Sequence, residues 1–357
     1  MRLLWFGHRD IKHRNAGGAE RTIYEVGRRL AAKGHEFHLV SVNPSDLPAE
    51  ETIDRIVVHR KRGNLRVHLE VPSIIRKIKP DVIVDDLAHV IPWGSPIFTN
   101  ESVIAFFHHL HARSLHGQVS FPTAELLTWL ETRYSSIYSD SVFVTETSTG
   151  VNDLVNLGVS AGQVRIIPPG VDSELFRPNR KTETPSLVYF GGLRDYKRPW
   201  LAIEVMYQIS QIQDVSLTVI GEGKSLERVR KLAIDYDLCK NITFTGRIRQ
   251  EELARKVSES WVNLHFSVTE GFGFSILEAA AAGTPTVALD AFGISDVVSQ
   301  FGFGMIVRDL KQFPNALCDI FEHNDKWSRM VHESASIFSW DRCAEMWENL
   351  ALHPCKI

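Results

Sequence analysis

Cysteine is scarce in this 357-residue chain, and its four copies form no CxxC pair. Cys239, Cys318, Cys343 and Cys355 therefore point to neither a zinc site nor a disulfide scaffold, and a reducing, cytoplasmic setting fits them best. No run of eighteen apolar residues occurs, so no membrane-spanning helix is expected. The opening Arg2-Leu3-Leu4-Trp5-Phe6 reads as a strand, too short and too soon polar for a signal peptide. Two phosphate-binding fingerprints are missing as well. The first strand is not followed by GxGxxG, which argues against a nicotinamide dehydrogenase, and no GxxxxGK[ST] occurs, which argues against a P-loop nucleotidase. No metal cluster is expected. Asp235-Tyr236-Asp237 ends an amphipathic helix, so its carboxylates should face water, and His108, His109 and His111 alternate along an extended run rather than converging.

What is present is ordinary globular material, 44% hydrophobic and 23% charged. The length exceeds what one core usually organises, so two domains are expected. Charge is uneven. Residues 1–80 hold sixteen Lys/Arg against nine Asp/Glu, net +7, and the remainder carries −10 of the total −3. Arg60, Lys61 and Arg62 centre the basic stretch. It lacks interleaved aromatics, so nucleic acid is not expected as a partner. An anionic membrane surface suits it better, at ~1 kcal/mol per basic residue.

The pattern alternates strand and helix. A strand at residues 2–6 leads through HRDIKHRNAGG into a helix from about Ala19 to Lys33, stopped by Gly34, and then a strand at Phe37–Val42. Further strands are expected at Arg55–Val58, Val82–Val84, Val103–Phe107, Val142–Thr145 and Val164–Ile167. The proline-rich, charged stretch after Pro168-Pro169-Gly170 reads as a connection, and a second alternating series starts at Leu187. Such alternation implies parallel sheets covered by helices. The expected division is an N-terminal Rossmann-like domain at 1–170, a linker at 171–185, a second Rossmann-like domain at 186–338, and a final helical segment at 339–357 that could cross back to the first.

Three loops carry the chemistry. Gly17-Gly18 opens the first helix, where backbone amides can meet an anion, although a plain tight turn explains it as well. Gly191-Gly192-Leu193-Arg194-Asp195-Tyr196-Lys197-Arg198 follows a strand and precedes a helix, placing three cations at a sheet's carboxyl edge, where an anion such as a diphosphate would satisfy them. TEGFGFSILEAAAAGT, at 269–284, sets Glu270 and Glu278 on either side of a glycine-punctuated turn and an apolar helix.

The order of these features resembles the retaining, sugar-nucleotide-dependent glycosyltransferases of family four. The resemblance runs through GGAE at 17–20, VIAFFHHLH at 103–111, VTETSTGVNDLVNLGV at 144–159, IIPPGVD at 166–172, GGLRDYK at 191–197, VIGEG at 219–223, FTGRI at 244–248, E-x7-E at 270–278 and FSWDR at 338–342. It implies an α/β GT-B fold, two Rossmann-like domains facing each other across a central cleft, with a hexose moved from a nucleoside diphosphate to an acceptor. By position, Lys197 corresponds to the lysine that clamps the diphosphate, and Glu278 to the glutamate that binds the ribose. Glu270 lies near the transferring sugar with Gly271 and the amides of Phe272 and Gly273. His108 contacts the donor sugar, Gly17 and Gly18 line the acceptor and phosphate side, Gly221, Gly223 and the Gly246–Arg247–Ile248 turn shape the nucleotide pocket, and Gly191 and Gly192 are among the donor-binding positions. No cofactor beyond the nucleotide sugar is implied, and no metal.

One departure stands out. The family usually has arginine where this chain has Gly192, and Arg194 or Arg198 is expected to replace that charge. The acceptor is expected to be lipid-linked or part of a cell-surface glycan, reached from the cytoplasmic face with the membrane contacted peripherally. Two other readings of the same fold are a sugar-nucleotide epimerase, which E-x7-E and FSWDR fit poorly, and a non-catalytic sugar-nucleotide-binding subunit, which Gly192 alone supports.

Overall fold

The computed structural model describes residues 1–43, 46–112 and 121–354. Its contacts divide the chain into two units, one of Met1–Gly170 with Trp340–Ile357, the other Val171–Ser339.

In the first unit the strands are β1 (Arg2–Phe6), β2 (Glu36–Val42), β3 (Glu50–Ile53), β4 (Ile56–Lys61), β5 (Val82–Asp86), β6 (Ser102–Phe106), β7 (Val142–Thr145) and β8 (Val164–Ile166). They form one sheet in the order β3-β4-β2-β1-β5-β6-β7-β8. All neighbours are parallel except β3, which pairs antiparallel with β4 across the Asp54-Arg55 turn. The sequence pattern anticipates a strand near Arg55 but not this hairpin, because β3 is a four-residue edge strand, Glu50-Glu51-Thr52-Ile53, with no buried apolar face to mark it. Leu3, Leu4, Trp5 and Phe6 are all buried, as expected for a strand covered on both faces. The helix Gly18–Ala32 lays Ile23, Val26 and Leu30 on one face of the sheet. The C-terminal helix Trp340–Leu352 packs beside it. Trp347 lies 4.7 Å from Trp5 ring to ring, and Arg29 donates to Asp341 at 2.6 Å.

The second unit has β9 (Ser186–Phe190), β10 (Ser216–Ile220), β11 (Ile242–Gly246), β12 (Val262–His265), β13 (Thr286–Leu289) and β14 (Gly304–Val307). This sheet is all parallel, in the order β11-β10-β9-β12-β13-β14. Leu187, Leu217 and Leu264 pack on one face with helix Leu201–Ser210, while Val188, Ile220 and Ala288 pack on the other with helices Phe274–Ala281 and Ile294–Phe301. Residues 171–185, read from sequence as a linker, are fixed to this unit. Val171 and Phe176 are buried in its core, and Lys181 Nζ donates to the Ser260 carbonyl and Thr284 Oγ1, both at 2.8 Å.

Both sheets are doubly wound, and each has a point where the strand order reverses. In the first it lies between β1 and β5, in the second between β9 and β12. Loops leaving the carboxyl ends of strands at such a point are splayed apart, and the crevice between them is where ligands of open α/β sheets bind.

Candidate active site

At the reversal point of the second sheet, the loop after β9 ends in a single 3-10 turn, Asp195–Lys197. The loop after β12 carries Ser267 and Glu270. They meet. Lys197 Nζ lies 2.9 Å from Glu270 Oε1, and Ser267 Oγ donates to the same oxygen at 2.7 Å. Glu270 Oε2 has no hydrogen-bond partner among the described residues. Burial opposes charge on both partners, but their mutual attraction wins. Lys197 is held above the ordinary lysine range and Glu270 below the ordinary carboxylate range. Glu270 is therefore ionised throughout the neutral and mildly acid range. It cannot lend a proton, and its open oxygen can accept a hydroxyl. Both side chains keep about a fifth of their surface exposed, 22% and 17%, so an incoming anion can reach Lys197.

The backbone around the pair is built for close approach. The Val268 amide donates to the Tyr196 carbonyl at 2.9 Å, tying the two loops together. Gly221 has φ 130°, and a Cβ there would sit 2.0 Å from the Gly191 carbonyl oxygen, so only glycine lets the β10 and β9 loops touch. The Gly221 amide in turn donates to Gly246 at 2.9 Å, bringing the β11 end into the same cluster of loops. Arg247 beside it is exposed, and Ile248 packs on the core. After Gly271, the buried Phe272 stacks near Phe301 and Phe338 and anchors the glycine turn. Gly273, at φ 85°, starts the helix Phe274–Ala281. The N-terminus of this helix carries its positive dipole end, the arrangement that favours an anion, while the Ile276 amide is already taken, donating to the Gly273 carbonyl at 2.8 Å. Glu278 is buried at 7% exposure, one turn inside that helix.

The two candidates for the missing arginine have different surroundings. Arg198 takes a left-handed backbone, φ 45°, and its Nε donates to the Phe266 carbonyl at 2.7 Å, with Nη2 3.4 Å from the Ser267 carbonyl. It fastens one loop to the other, and burial lowers its pKa. Arg194 is exposed and folds back over Gly192, its Nε 3.5 Å from where a Gly192 Cβ would lie. Arg194 thus covers the space into which a side chain at position 192 would start.

The sequence reading missed His265. It ends β12 at 5% exposure, with Nδ1 3.4 Å from Ser275 Oγ and Nε2 without a partner. Burial pushes its pKa down to about 4, with Lys197 and Arg198 adding to the effect against Glu270. It is a neutral imidazole beside the ion pair. A polar residue inside the otherwise apolar VNLHF strand was the available signal.

In the first unit, His108 follows β6 and is 7% exposed. Its Nε2 lies 2.8 Å from Asp86 Oδ1, and its Nδ1 lies 3.6 Å from Glu146 Oε2. Burial works against its charge, yet these carboxylates raise its pKa to about 10. His108 is thus an imidazolium whose two nitrogens are engaged within its own unit. Gly17 and Gly18 do begin a helix, but the Gly17 amide already donates to Glu20 Oε2 at 2.6 Å. The basic patch needs correction. The Arg60 side chain is fully buried, donating through Nε and Nη2 to Asp10 at 2.8 and 3.1 Å and through Nη1 to Glu51 at 2.9 Å. It lies on β4 facing the sheet, where it cannot meet a surface. Lys61, 35% exposed, pairs with Glu70 at 3.1 Å, and Arg62 is exposed. Among the described residues no group of three or more His, Cys, Asp or Glu is placed to hold a metal ion, and no helix is long and apolar enough to cross a membrane.

Two doubly wound units, the second with a lysine–carboxylate pair at its reversal point, make up the GT-B fold of glycosyltransferases. Two family models cover most of the chain, Glycosyltransferase Family 4 at residues 16–175 and Glycosyl transferases group 1 at residues 171–334. The chain belongs to this glycosyltransferase family. Among curated relatives, the GDP-mannose-dependent alpha-(1-6)-phosphatidylinositol monomannoside mannosyltransferase of Mycobacterium tuberculosis is 28% identical over 212 residues, 54% of each chain. The match thus spans about half the length of that relative. A D-inositol 3-phosphate glycosyltransferase of Acidothermus cellulolyticus is 27% identical over 93% of this chain and 84% of its own. Among solved structures, sucrose-phosphate synthase from Thermosynechococcus elongatus superposes with a TM-score of 0.80 at 21% identity, covering 99% of this chain and 98% of its own, a likeness of fold.

Proposed function

We propose that the protein is a retaining hexosyltransferase that moves a sugar from a nucleoside diphosphate to a phosphate-bearing polyol, lipid-linked or destined for a cell-surface glycan. The observation that carries the donor half is the Lys197–Glu270 pair at the reversal point of the second sheet. Cleaving the bond between the sugar's anomeric carbon and the diphosphate oxygen leaves positive charge on the sugar and added negative charge on the diphosphate. Catalysis of this step needs preorganised positive charge at the phosphate rather than a strong base. Lys197, Arg194 and the amides opening helix Phe274–Ala281 supply it without a cofactor or divalent ion. Glu270 and Glu278 hold hydroxyls of the sugar and the ribose. The acceptor hydroxyl attacks the same face of the sugar that the diphosphate leaves, and its proton passes to the departing phosphate oxygen, which preserves the anomeric configuration.

The acceptor half draws its support from relatives whose names specify phosphatidylinositol monomannoside and D-inositol 3-phosphate. Exposed Leu65 (67%) and Leu69 (81%) beside Arg62 and Arg66 support peripheral contact with an anionic membrane on the cytoplasmic face. The experiment is hydrolysis of an α-linked nucleotide sugar with EDTA present, followed by proton NMR of the sugar as it is released. The α anomer should form first and then mutarotate. An initial β anomer, or full loss of cleavage in EDTA, contradicts retention or metal independence respectively. Co-sedimentation with anionic vesicles at low salt tests the membrane contact, which is wrong if the protein stays in the supernatant.

A further inference from the structure

The reversal point of the first sheet holds a cluster that the donor chemistry does not use. His8 lies two residues beyond β1 and His89 three beyond β5, the two strands that flank that point. Their rings are 3.8 Å apart between centroids. His68, in the first turn of helix Arg66–Ile78, lies 5.5 Å from His8 and stacks at 4.5 Å on Trp93. Trp93 is fixed by donating from its indole nitrogen to the Asp86 carbonyl at 2.9 Å, and it lies 4.9 Å from His8. The loop's next residue, Arg9, is held only loosely, at 3.4 Å from the Asn15 carbonyl and 3.7 Å from Glu20.

Burial, then the neighbouring imidazoles and Arg9, push the pKa of His8 down to about 2; burial and then Arg9 and the imidazoles push that of His89 to about 3. Both rings are neutral, so each offers one N–H donor and one lone pair. His8 Nε2 is buried with no hydrogen-bond partner among the described residues. The groups acting most strongly on these two rings are His68, His111, His108 and Arg9, together with each other, and no carboxylate is among them. A buried polar nitrogen without a partner is costly, and a ligand that accepts hydrogen bonds and carries negative charge relieves it.

We propose that Arg9, His8 and His89 form the subsite for the acceptor's phosphate, so that the enzyme selects a phosphorylated polyol over the bare polyol. This rests on the transferase reading of the second unit. The phosphate belongs to a free polyol phosphate or to a lipid headgroup, and the chemistry of recognition is shared. Arg9 gives up its weak contact with Glu20 to pair with a phosphate oxygen, and the imidazole N–H groups meet the others. Neutral imidazoles bind without the desolvation of a buried cation, and Arg9 supplies the permanent charge.

The test measures sugar transfer by the full chain to myo-inositol 1-phosphate, to myo-inositol, and to phosphatidylinositol in phosphatidylcholine vesicles. The donor is the nucleotide sugar that stabilises the protein. At least one phosphate-bearing acceptor should exceed myo-inositol about a hundredfold in kcat/KM; the soluble one identifies a free phosphate, the vesicle one a headgroup. Arg9→Met and His8→Ala should each raise KM for that acceptor about tenfold. Arg9 is partly exposed, so its variant remains informative even if the His8 variant folds poorly. Equal use of myo-inositol overturns the proposal, as does a wild-type KM in both variants or no transfer to any of the three acceptors while donor still binds. If no nucleotide sugar stabilises the protein, the transferase reading itself falls, and this inference with it.

Discussion

Lys197→Ala should lower donor turnover by about 10²–10³-fold, the usual effect of removing one preorganised group that meets charge developing in a transition state. It should also destabilise the second unit, because Glu270 is left as a largely buried carboxylate whose main counter-charge is gone. Breaking a fully buried pair in this way costs roughly 3–5 kcal/mol. The residual exposure of both partners puts the expected loss here at the low end or below it. The two effects separate in the double variant Lys197→Ala with Glu270→Ala. That change removes the orphaned charge, so the melting temperature should return toward wild type while turnover stays low. Single-turnover donor cleavage and thermal denaturation are the measurements. Turnover within tenfold of wild type in Lys197→Ala would remove the lysine from the chemistry.

The second large effect concerns Gly192. Arg194→Ala should lower kcat/KM for the donor by about a hundredfold, or about 2.7 kcal/mol, with little change in melting temperature, since Arg194 is exposed. Arg198→Ala should do the reverse, because that guanidinium holds the Phe266 carbonyl and so fixes the loop between β12 and Glu270. Adding Gly192→Arg to Arg194→Ala should restore turnover. The three atoms nearest a Cβ at Gly192 all belong to the Arg194 side chain, the closest at 3.5 Å, so shortening Arg194 removes the neighbours that the new side chain would first meet. If Arg194→Ala leaves donor affinity and turnover intact, the charge is supplied elsewhere.

The parts of this molecule legible in the sequence were those written in short stretches. Strand β1 and its helix followed from a buried apolar run and a helical stripe. The loops bearing Lys197 and Glu270 were found because each is a few consecutive residues between a strand and a helix. Features assembled from distant positions were not legible. Arg60 looked like surface charge until Asp10 and Glu51, from two other segments, enclosed it. His8, His68 and His89 are far apart in sequence, and only the reversal between β1 and β5 brings them together. His108 gave no hint that Asp86 and Glu146, at the ends of neighbouring strands, would make it a buried cation. The stretch at 171–185 read as a linker because proline and charge dominate it, whereas two apolar residues, Val171 and Phe176, decide its place.

Thermal denaturation with a panel of UDP-, GDP-, ADP- and dTDP-sugars tests the central assignment most directly. A ligand at a hundred times its Kd adds about 2.7 kcal/mol to the state that binds it. One nucleotide sugar should therefore stabilise the protein clearly above the rest, and the shift should shrink in Lys197→Ala. A panel with no stabilising member, or one whose shift is unchanged in Lys197→Ala, would contradict a donor diphosphate held at the reversal point of the second sheet.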